Sequence, residues 1–319
     1  MNLCLVAMIS VLITVGCIQT AAQGFPRENF PEGSYSPVTN VNRASYPRVL
    51  SDNSVMFRVV APQAQLVQID LCGMKYDMQK ADNGAWTVTT KPQVPGFHYY
   101  FLIVDGVSVS DPASQTFYGC GRWSSAIEIQ EAATDDFEVQ DVPRGEVRTV
   151  YYYSKVDESW RPLMIYTPAG YNESQQEYPV VYIQHGGGED HRGWMEQGRT
   201  AQIMDNLIAA GKAVPMIVVS ANSNVRSRNG GFGGIQGASN FDLEAEVPGI
   251  LTNTPAFNQQ FDVFFMSCGE QDPRIEYTRN IVKKMRDGGV NVRFNSYPGD
   301  HEWQVWRKSL HEFAQYLFK

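Results

Sequence analysis

Three apolar segments in the second half of the chain each run into residues that can do chemistry. The segment 178–184 leads into the glycine-rich run His185–Gly188, the second ends in Cys268–Asp272, and the third ends in Ser296–His301. Short apolar runs that stop at turn residues are typical of buried strands. In an open sheet, the ends of such strands meet at one edge, where ligands bind. The sequence therefore predicts a sheet with a site built from a glycine turn, an acid and a histidine.

The order of these residues is that of serine esterases, but their nucleophile is absent. Such enzymes carry serine, acid and histidine in that chain order, with the serine in a G-x-S-x-G turn. Asp272 and His301 follow the order, whereas no G-x-S-x-G occurs in the 319 residues. Ser239 has only the first of the two glycines, and Ser220 and Ser267 lie at predicted strand ends without the exposing turn. Without an activated serine no acyl-enzyme can form, so the chain as given is expected to be inactive on esters.

From residue 145 onward, strand patterns alternate with helix patterns. Strands are predicted at 146–154, 162–167, 179–184, 214–221, 262–268 and 291–296, and helices at 197–210, 274–287 and 302–318. This alternation predicts a sheet with helices on both faces.

Residues 46–132 show a different pattern, of short strands separated by turns such as Asp82–Gly84 and Asp105–Gly106. Strands are predicted at 55–60, 66–71, 86–90 and 98–104, and regular short strands of this kind predict a β-sandwich. Aromatic residues of strands are usually buried, so Trp86, Tyr99 and Tyr100 are expected in the core or on a sheet face rather than on a sugar-binding surface. Trp123 is the better candidate for a solvent-facing aromatic.

Residues 145–319 resemble carbohydrate esterase family 1, the feruloyl and acetylxylan esterases, which are similar to esterase D proteins. The matching motifs are 166–171, 185–188, 194–198, 205–212, 268–272 and 298–303. The resemblance implies an α/β-hydrolase domain that, ancestrally, hydrolyses feruloyl or acetyl esters on plant-wall xylan by a Ser-His-Asp mechanism, without a cofactor. It makes His301 the base and Asp272 its orienting acid, with Gly186, Gly187 and Gly188 as the oxyanion loop and Trp194 and Trp303 at the substrate.

The N-terminal part resembles family-48 carbohydrate-binding modules and related early-set sandwiches. The motifs are the tryptophan strand at 84–86, the Pro-Gly turn into an aromatic strand at 95–100, and the Asp-Gly and Asp-Pro pairs at 105–106 and 111–112. Modules of this kind attached to esterases are either sugar binders or spacers. Feruloylated or acetylated plant-wall polysaccharides and oligosaccharides are the partners that the two resemblances imply.

The chain departs from the esterase family after the strand at 214–221. Residues 219–226 pass almost directly into the glycine-rich run 229–236, where the family has a helix and a strand that ends in the elbow. At least one strand–helix–strand unit is therefore missing, which amounts to roughly 30 residues or more. We expect a sheet shortened by the elbow strand and helix. A catalytically dead glycan-binding or interaction protein, and a truncated gene product, are the alternatives to an esterase.

Each site residue also has a purely structural interpretation. His301 can pack at a helix start, Asp272 can cap helix 274–287, and the glycines can serve a tight turn. Trp194, Trp303 and Trp306 can be core residues. The family match and the pairing of Asp272 with His301 favour catalytic ancestry.

The first 22 residues have an apolar run and small residues before position 23, as a signal peptide requires, and predict a secreted or periplasmic protein. Acylation at Cys17, giving a lipoprotein, is the alternative. Residues 23–45 are predicted as a linker and 133–144 as a connector.

The net charge and the cysteines bear on whether the chain binds nucleic acid or a metal. A net charge of −8 offers no basic face for nucleic acid. The sequence contains no CxxC and no cluster of histidine and cysteine at metal-ligand spacing, so no metal site is predicted. Cys268 is expected to be buried. Cys72 and Cys120 could form a disulfide bridge, which sequence alone does not decide. The sequence does not give the oligomeric state.

Overall fold

The computed structural model describes residues 29–41, 43–130, 135–155, 158–224 and 243–319. The predicted leader with Cys17, the glycine-rich run 229–236 and Ser239 lie outside the described residues. Within these ranges, no helix is both long enough and apolar enough to cross a membrane.

The N-terminal part contains ten strands in two antiparallel sheets. They are β1 (Arg48–Val49), β2 (Val55–Val60), β3 (Val67–Leu71), β4 (Met74–Asp77), β5 (Gln79–Lys80), β6 (Ala85–Thr89), β7 (Gly96–Val104), β8 (Val107–Val109), β9 (Thr116–Gly119) and β10 (Arg122–Ile129). One sheet has the order β1-β2-β6-β5, and the other has the order β4-β3-β7-β10-β9, with β8 on β7.

One core joins the two sheets. Phe57 of β2 and Trp86 of β6 pack in the same apolar cluster as Ile69, Tyr100 and Ile127 of the second sheet. Buried residues alternate with half-buried ones along β3 and the first part of β2, as expected for strands with one face in the core. The sheets therefore pack face to face. Trp86 and Tyr100 are buried as expected, whereas Trp123 is 50% exposed.

The C-terminal part alternates strands and helices. It contains β11 (Glu146–Ser154), β12 (Ser159–Thr167), β13 (Val180–Gln184), α1 (Thr200–Ala209), β14 (Ile217–Ala221), α2 (Leu243–Glu246), α3 (Thr254–Asn258), β15 (Phe264–Gly269), α4 (Ile275–Asp287), β16 (Val292–Tyr297) and α5 (Trp303–Ala314). Ile275, Val282 and Met285 of α4 are buried, on one stripe of a helix whose other residues are mostly polar.

The sheet of this part is broken in the middle. Strands β11-β12-β14-β13 form one sheet, and β15 and β16 form a separate parallel pair. Among the described strands, β13 pairs only with β14, and β15 pairs only with β16. Tyr182 of β13 is 78% exposed, although it lies in an apolar strand. The expected single, shortened sheet is thus in two parts, because no described strand pairs with the free edge of β13 or with the free edge of β15.

A buried ion pair fixes the N-terminal sandwich against the C-terminal part. The guanidinium of Arg307 on α5 donates to both carboxylate oxygens of Glu128 on β10, at 2.7 and 3.1 Å. Arg199 lies 3.3 Å from the same carboxylate. Burial works to raise the pKa of Glu128, but Arg307 and then Arg199 outweigh it and hold that pKa below its usual value. The two-pronged geometry gives the interface a defined orientation.

Candidate active site

Asp272 and His301 meet at the edge where β15 and β16 end. The two strands run parallel, so the turns that follow them leave the sheet on the same side. Nδ1 of His301 lies 2.8 Å from Oδ2 of Asp272. The carboxylate is almost fully buried, whereas the imidazole side chain is 54% exposed. A buried acid thus holds one ring nitrogen and leaves Nε2 to exchange a proton.

The surroundings of Asp272 favour its charged form. The backbone N–H of Arg274 donates to Oδ1 at 2.9 Å. Burial works to raise the pKa of Asp272, but the Arg274 amide and the His301 ring hold it below its usual value. The carboxylate therefore closes the turn before α4 and orients the histidine. It does not cap the helix, because the N-cap residue of α4 is Arg274.

A cavity of about 370 Å³ opens beside His301, and both halves of the protein line it. This volume is within the range of small-molecule sites. The C-terminal part contributes Gly186, Gly187, Glu189, Asp300, His301, Glu302, Trp303 and Trp306, and the sandwich contributes Cys72, Gly73, Phe97, Tyr99, Phe101 and Cys120. Five of these fourteen residues are aromatic, and the polar part of the wall consists of His301, the glycine turn and the three acids Glu189, Asp300 and Glu302.

The predicted oxyanion loop is divided between two tasks. Gly186 and Gly187 line the cavity. Gly188 does not; its φ is +81°, and its carbonyl accepts the N–H of Gly121 at 2.8 Å. The expectation that all three glycines face the site is therefore wrong for Gly188, because that residue contacts the hairpin between β9 and β10.

The tryptophans also differ in their roles. Trp303 lines the cavity, and its indole N–H donates to the hydroxyl of Tyr99 at 3.0 Å. Trp306 lies edge-on to His301, with ring centroids 5.1 Å apart. Trp194 does not line the cavity: its indole donates to the carbonyl of Gln184, and its ring packs edge-on against Trp303. The placement of Trp194 at the substrate is a prediction that the structure corrects.

Two cavity residues were not expected from sequence. The Tyr99 hydroxyl, which also accepts from Gln197 at 2.7 Å, lies 3.0 Å from Oε1 of Glu189. Glu189 is 4% exposed, and burial raises the pKa of its carboxyl to about 7. Sequence predicts Tyr99 in the core or on a sheet face of the sandwich and gives no role to Glu189, because the contact between them crosses between the two parts of the fold.

The burial of Cys268 agrees with the sequence, whereas the sequence did not decide whether Cys72 and Cys120 are bridged. Cys268 is buried, and Cys72 and Cys120 are free thiols. Both of these line the cavity.

A serine does contact a histidine near this site, but the histidine is not His301. The hydroxyl and the N–H of Ser223 both lie 3.0 Å from Nε2 of His185. Nδ1 of His185 is 2.8 Å from the carbonyl of Gly186, which makes Nε2 the acceptor. Within the described part of the chain, no serine hydroxyl hydrogen-bonds to His301.

Comparison with known proteins supports an esterase-like chain. Residues 154–243 match the family model described as "Putative esterase". The chain is 40% identical over 334 residues to the endo-1,4-beta-xylanase/feruloyl esterase of Xylanibacter ruminicola, covering 86% of this chain and 46% of the relative. The chain thus spans about half the length of that relative.

The same alignment contains gaps in this chain. It runs over 334 positions, whereas 86% of the 319 residues is about 274. About 60 positions of the relative therefore face no residue of this chain.

Solved structures show the fold. The enterochelin esterase of Shigella flexneri has a TM-score of 0.60 at 13% identity, over 85% of this chain and 94% of that one. The enterobactin esterase FES of Shigella flexneri, in the presence of enterobactin, has a TM-score of 0.58 at 14% identity, over 82% and 92%. The chain has the fold of α/β-hydrolase esterases.

Proposed function

We propose that this chain is a carbohydrate esterase-like protein whose cavity binds the acyl group of feruloyl or acetyl esters on plant-wall xylan. The observation that carries the proposal is the 2.8 Å contact of Asp272 with His301 at the wall of an aromatic cavity. The feruloyl esterase relative gives the substrate class. The aromatic rings of Phe97, Phe101 and Trp306 suit a planar hydroxycinnamoyl group better than a bare acetyl group.

The surviving groups have defined roles in ester hydrolysis. His301 takes a proton at Nε2 and returns it to the leaving group, while Asp272 fixes the ring and stabilises its charged form. The turn at Gly186 and Gly187 lies where backbone N–H groups would stabilise the oxyanion of a tetrahedral intermediate. Two of the three components of a serine esterase site are thus present in one cavity.

Three observations support the loss of the third component. The sequence has no G-x-S-x-G. The alignment to the relative leaves about 60 positions unmatched. Within the described strands, β13 pairs only with β14 and β15 only with β16, which leaves one edge of each free for a further parallel strand. We infer that the chain as given binds the acyl group but does not form an acyl-enzyme.

The remaining parts of the proposal follow from sequence. Residues 46–132 serve as a sandwich module that closes the cavity, residues 145–319 form the esterase domain, and residues 1–22 direct export. The relative's printed name includes a xylanase, which supports a polysaccharide of the plant wall as the partner.

Binding and turnover are separated by one experiment on the purified chain. Ferulate binding is measured by calorimetry, and hydrolysis is measured with methyl ferulate and 4-nitrophenyl acetate. We expect binding that weakens in Phe101→Ala, and no turnover in the ordinary enzyme range of about 1–10³ s⁻¹. The matched control is Phe261→Ala, an exposed aromatic away from the cavity.

Two results would overturn the proposal. Ferulate binding that is absent, or unchanged in Phe101→Ala, would remove the acyl site. Turnover in the enzyme range that disappears in His301→Ala would show that the chain has a nucleophile, and Ser223→Ala would then test whether it is the serine beside His185.

A further inference from the structure

A cysteine, a histidine and a glutamate converge beside the cavity from three different elements. Cys72 lies in the turn between β3 and β4, His98 on β7, and Glu302 immediately before α5. One ligand atom from each residue lies within 4.8 Å of the other two. The first two belong to the sandwich, and the third is the neighbour of His301. The cluster therefore spans the boundary between the two parts of the fold.

The distances in this cluster are compatible with metal coordination. Nδ1 of His98 lies 3.6 Å from Sγ of Cys72 and 3.5 Å from Oε1 of Glu302. The second distance is longer than the about 2.7–3.2 Å of a hydrogen bond from N–H to oxygen. A tetrahedral zinc ion, with bonds of about 2.3 Å to sulfur and about 2.0–2.1 Å to nitrogen or oxygen, spaces its ligands about 3.3–3.6 Å apart. Both distances from Nδ1 match this spacing, and the sulfur and the carboxylate oxygen lie within 4.8 Å of each other.

The ring of His98 is held as a metal-binding histidine is held. Its Nε2–H donates to the carbonyl of Val94 at 2.7 Å, and the residue is 2% exposed. A backbone carbonyl on one ring nitrogen directs the lone pair of the other nitrogen at the metal. Here that lone pair is on Nδ1, which faces the thiol and the carboxylate. The polar neighbours are therefore arranged for a ligand on Nδ1.

The other two residues are also positioned. Cys72 and Gly73 form the two-residue turn between β3 and β4, with φ of +51° and +87°, as a tight hairpin requires, so the thiol sits on a short, defined turn. Gln304 donates to Oε2 of Glu302, which leaves Oε1 for the cluster.

We propose that Cys72, His98 and Glu302 bind one Zn²⁺ ion. Cys72 binds as the thiolate, and its proton passes to solvent when the zinc–sulfur bond forms; no oxidation or reduction is involved. Cys72 and Glu302 both line the cavity, so the fourth coordination position faces it and takes water or a ligand oxygen. The ion cross-links the sandwich to the turn that carries His301.

The sequence prediction of no metal site rested on local spacing. These ligands come from a hairpin, a strand and the start of a helix, so they do not form a CxxC-like motif that sequence inspection could detect. The set of one sulfur, one nitrogen and one oxygen favours zinc over calcium or magnesium, which prefer oxygen ligands.

Cobalt is a suitable probe, because Co²⁺ replaces zinc and absorbs light. The full chain is stripped with a chelator under reducing conditions and titrated with Co²⁺ alone. We expect one equivalent to bind, with a thiolate-to-cobalt charge-transfer band and the intense visible bands of four-coordinate cobalt, and zinc to displace it. Absence of binding, or six-coordinate spectra without the charge-transfer band, would overturn the proposal.

Variants identify the ligands. Cys72→Ser should abolish the charge-transfer band. Metal affinity should fall by at least about 100-fold in each of Cys72→Ser, His98→Gln and Glu302→Gln. This loss is at the upper limit of the about 10–100-fold caused by replacing residues that only hydrogen-bond to the metal's ligands. Cys120→Ser is the matched control, because its thiol lines the same cavity outside the cluster. Far-ultraviolet circular dichroism checks folding, and Cys72→Ser decides the matter if buried His98→Gln does not fold. Binding unchanged in Cys72→Ser, or lost equally in Cys120→Ser, would contradict the assignment.

Discussion

The N–H of Gly121 donates to the carbonyl of Gly188 at 2.8 Å, joining a hairpin of the sandwich to the glycine turn of the esterase-like part. A Cβ built on Gly188 would lie 3.0 Å from the nitrogen of Gly121 and 3.3 Å from Cα of Cys120. Cys120 and Gly187, the chain neighbours of these two glycines, both line the cavity. The close approach of the two backbones therefore positions two residues of its wall.

Gly188→Ala is expected to destabilise the protein by about 1–2 kcal/mol, because φ is +81° there and the methyl group meets backbone. Urea denaturation measures the loss. Gly186→Ala is the control: no left-handed φ occurs there, and nothing lies within 4 Å of an added Cβ. Equal stability losses in the two variants would show that the contact with Gly121 does not constrain the turn.

Arg307→Met should cost about 3–5 kcal/mol of unfolding free energy, because it leaves the buried carboxylate of Glu128 with only part of its pairing. The remaining contact with Arg199 places the loss near the lower end. Adding Glu128→Gln to that variant should recover part of the loss, since the uncompensated charge is removed. Lys283→Met, in the exposed pair with Asp287, should cost less than about 1 kcal/mol. A similarly small effect of Arg307→Met would mean that the interface does not need the pair.

Because of the buried carboxyl of Glu189, the free energy of unfolding should decrease as the pH rises from about 4.5 to 7. Burial raises its pKa to about 7 in the folded state, from 4.5. Between these values the folded protein holds a proton that the unfolded chain has released, so the free energy of unfolding decreases as pH rises. The slope is at most about 1.4 kcal/mol per pH unit.

Glu189→Gln removes this dependence. We expect the variant to be more stable than the parent at pH 8 by roughly 1–3 kcal/mol, and equal to it near pH 4.5. Urea titrations at the two pH values provide the measurement, and Glu276→Gln on the exposed face of α4 serves as the control. A parent-like decline in the Glu189→Gln variant would assign the pH dependence to other groups.

Local patterns were enough to predict many of the elements. The segment 146–154 was predicted as a strand and coincides with β11, and helix 274–287 differs from α4 by one residue. Strand β10 was not predicted, because Ser124, Ser125 and Ala126 interrupt its apolar pattern, although all three are buried. Their burial comes from packing within the sandwich and against α5, which no local window contains.

The site divides in the same way. Asp272 and His301 each follow a strand that is recognisable in the sequence as an apolar run. Because such strands end at the same edge of a sheet, the proximity of the two residues could be predicted. The contact of Tyr99 with Glu189 depends on how the sandwich docks against the C-terminal part, and the contact of Cys72 with His98 depends on the register of β3 on β7. That docking is fixed by the buried pair Arg307–Glu128, whose members look in sequence like ordinary surface charges.

Supplying the missing elbow segment should restore catalysis. Residues 222–242 are replaced by the corresponding segment of the Xylanibacter ruminicola relative, between Ala221 and Leu243. A strand of that segment can pair with the open edges of β13 and β15 and deliver a serine beside His301. We expect turnover of methyl ferulate within about 1–10³ s⁻¹. His301→Ala in the extended chain should reduce the rate by at least about 10³-fold, because the triad acts as a unit. The matched comparison is the relative's own esterase domain under the same assay. A folded extended chain that stays inactive while that domain turns over would show that this chain has lost more of the site than its nucleophile.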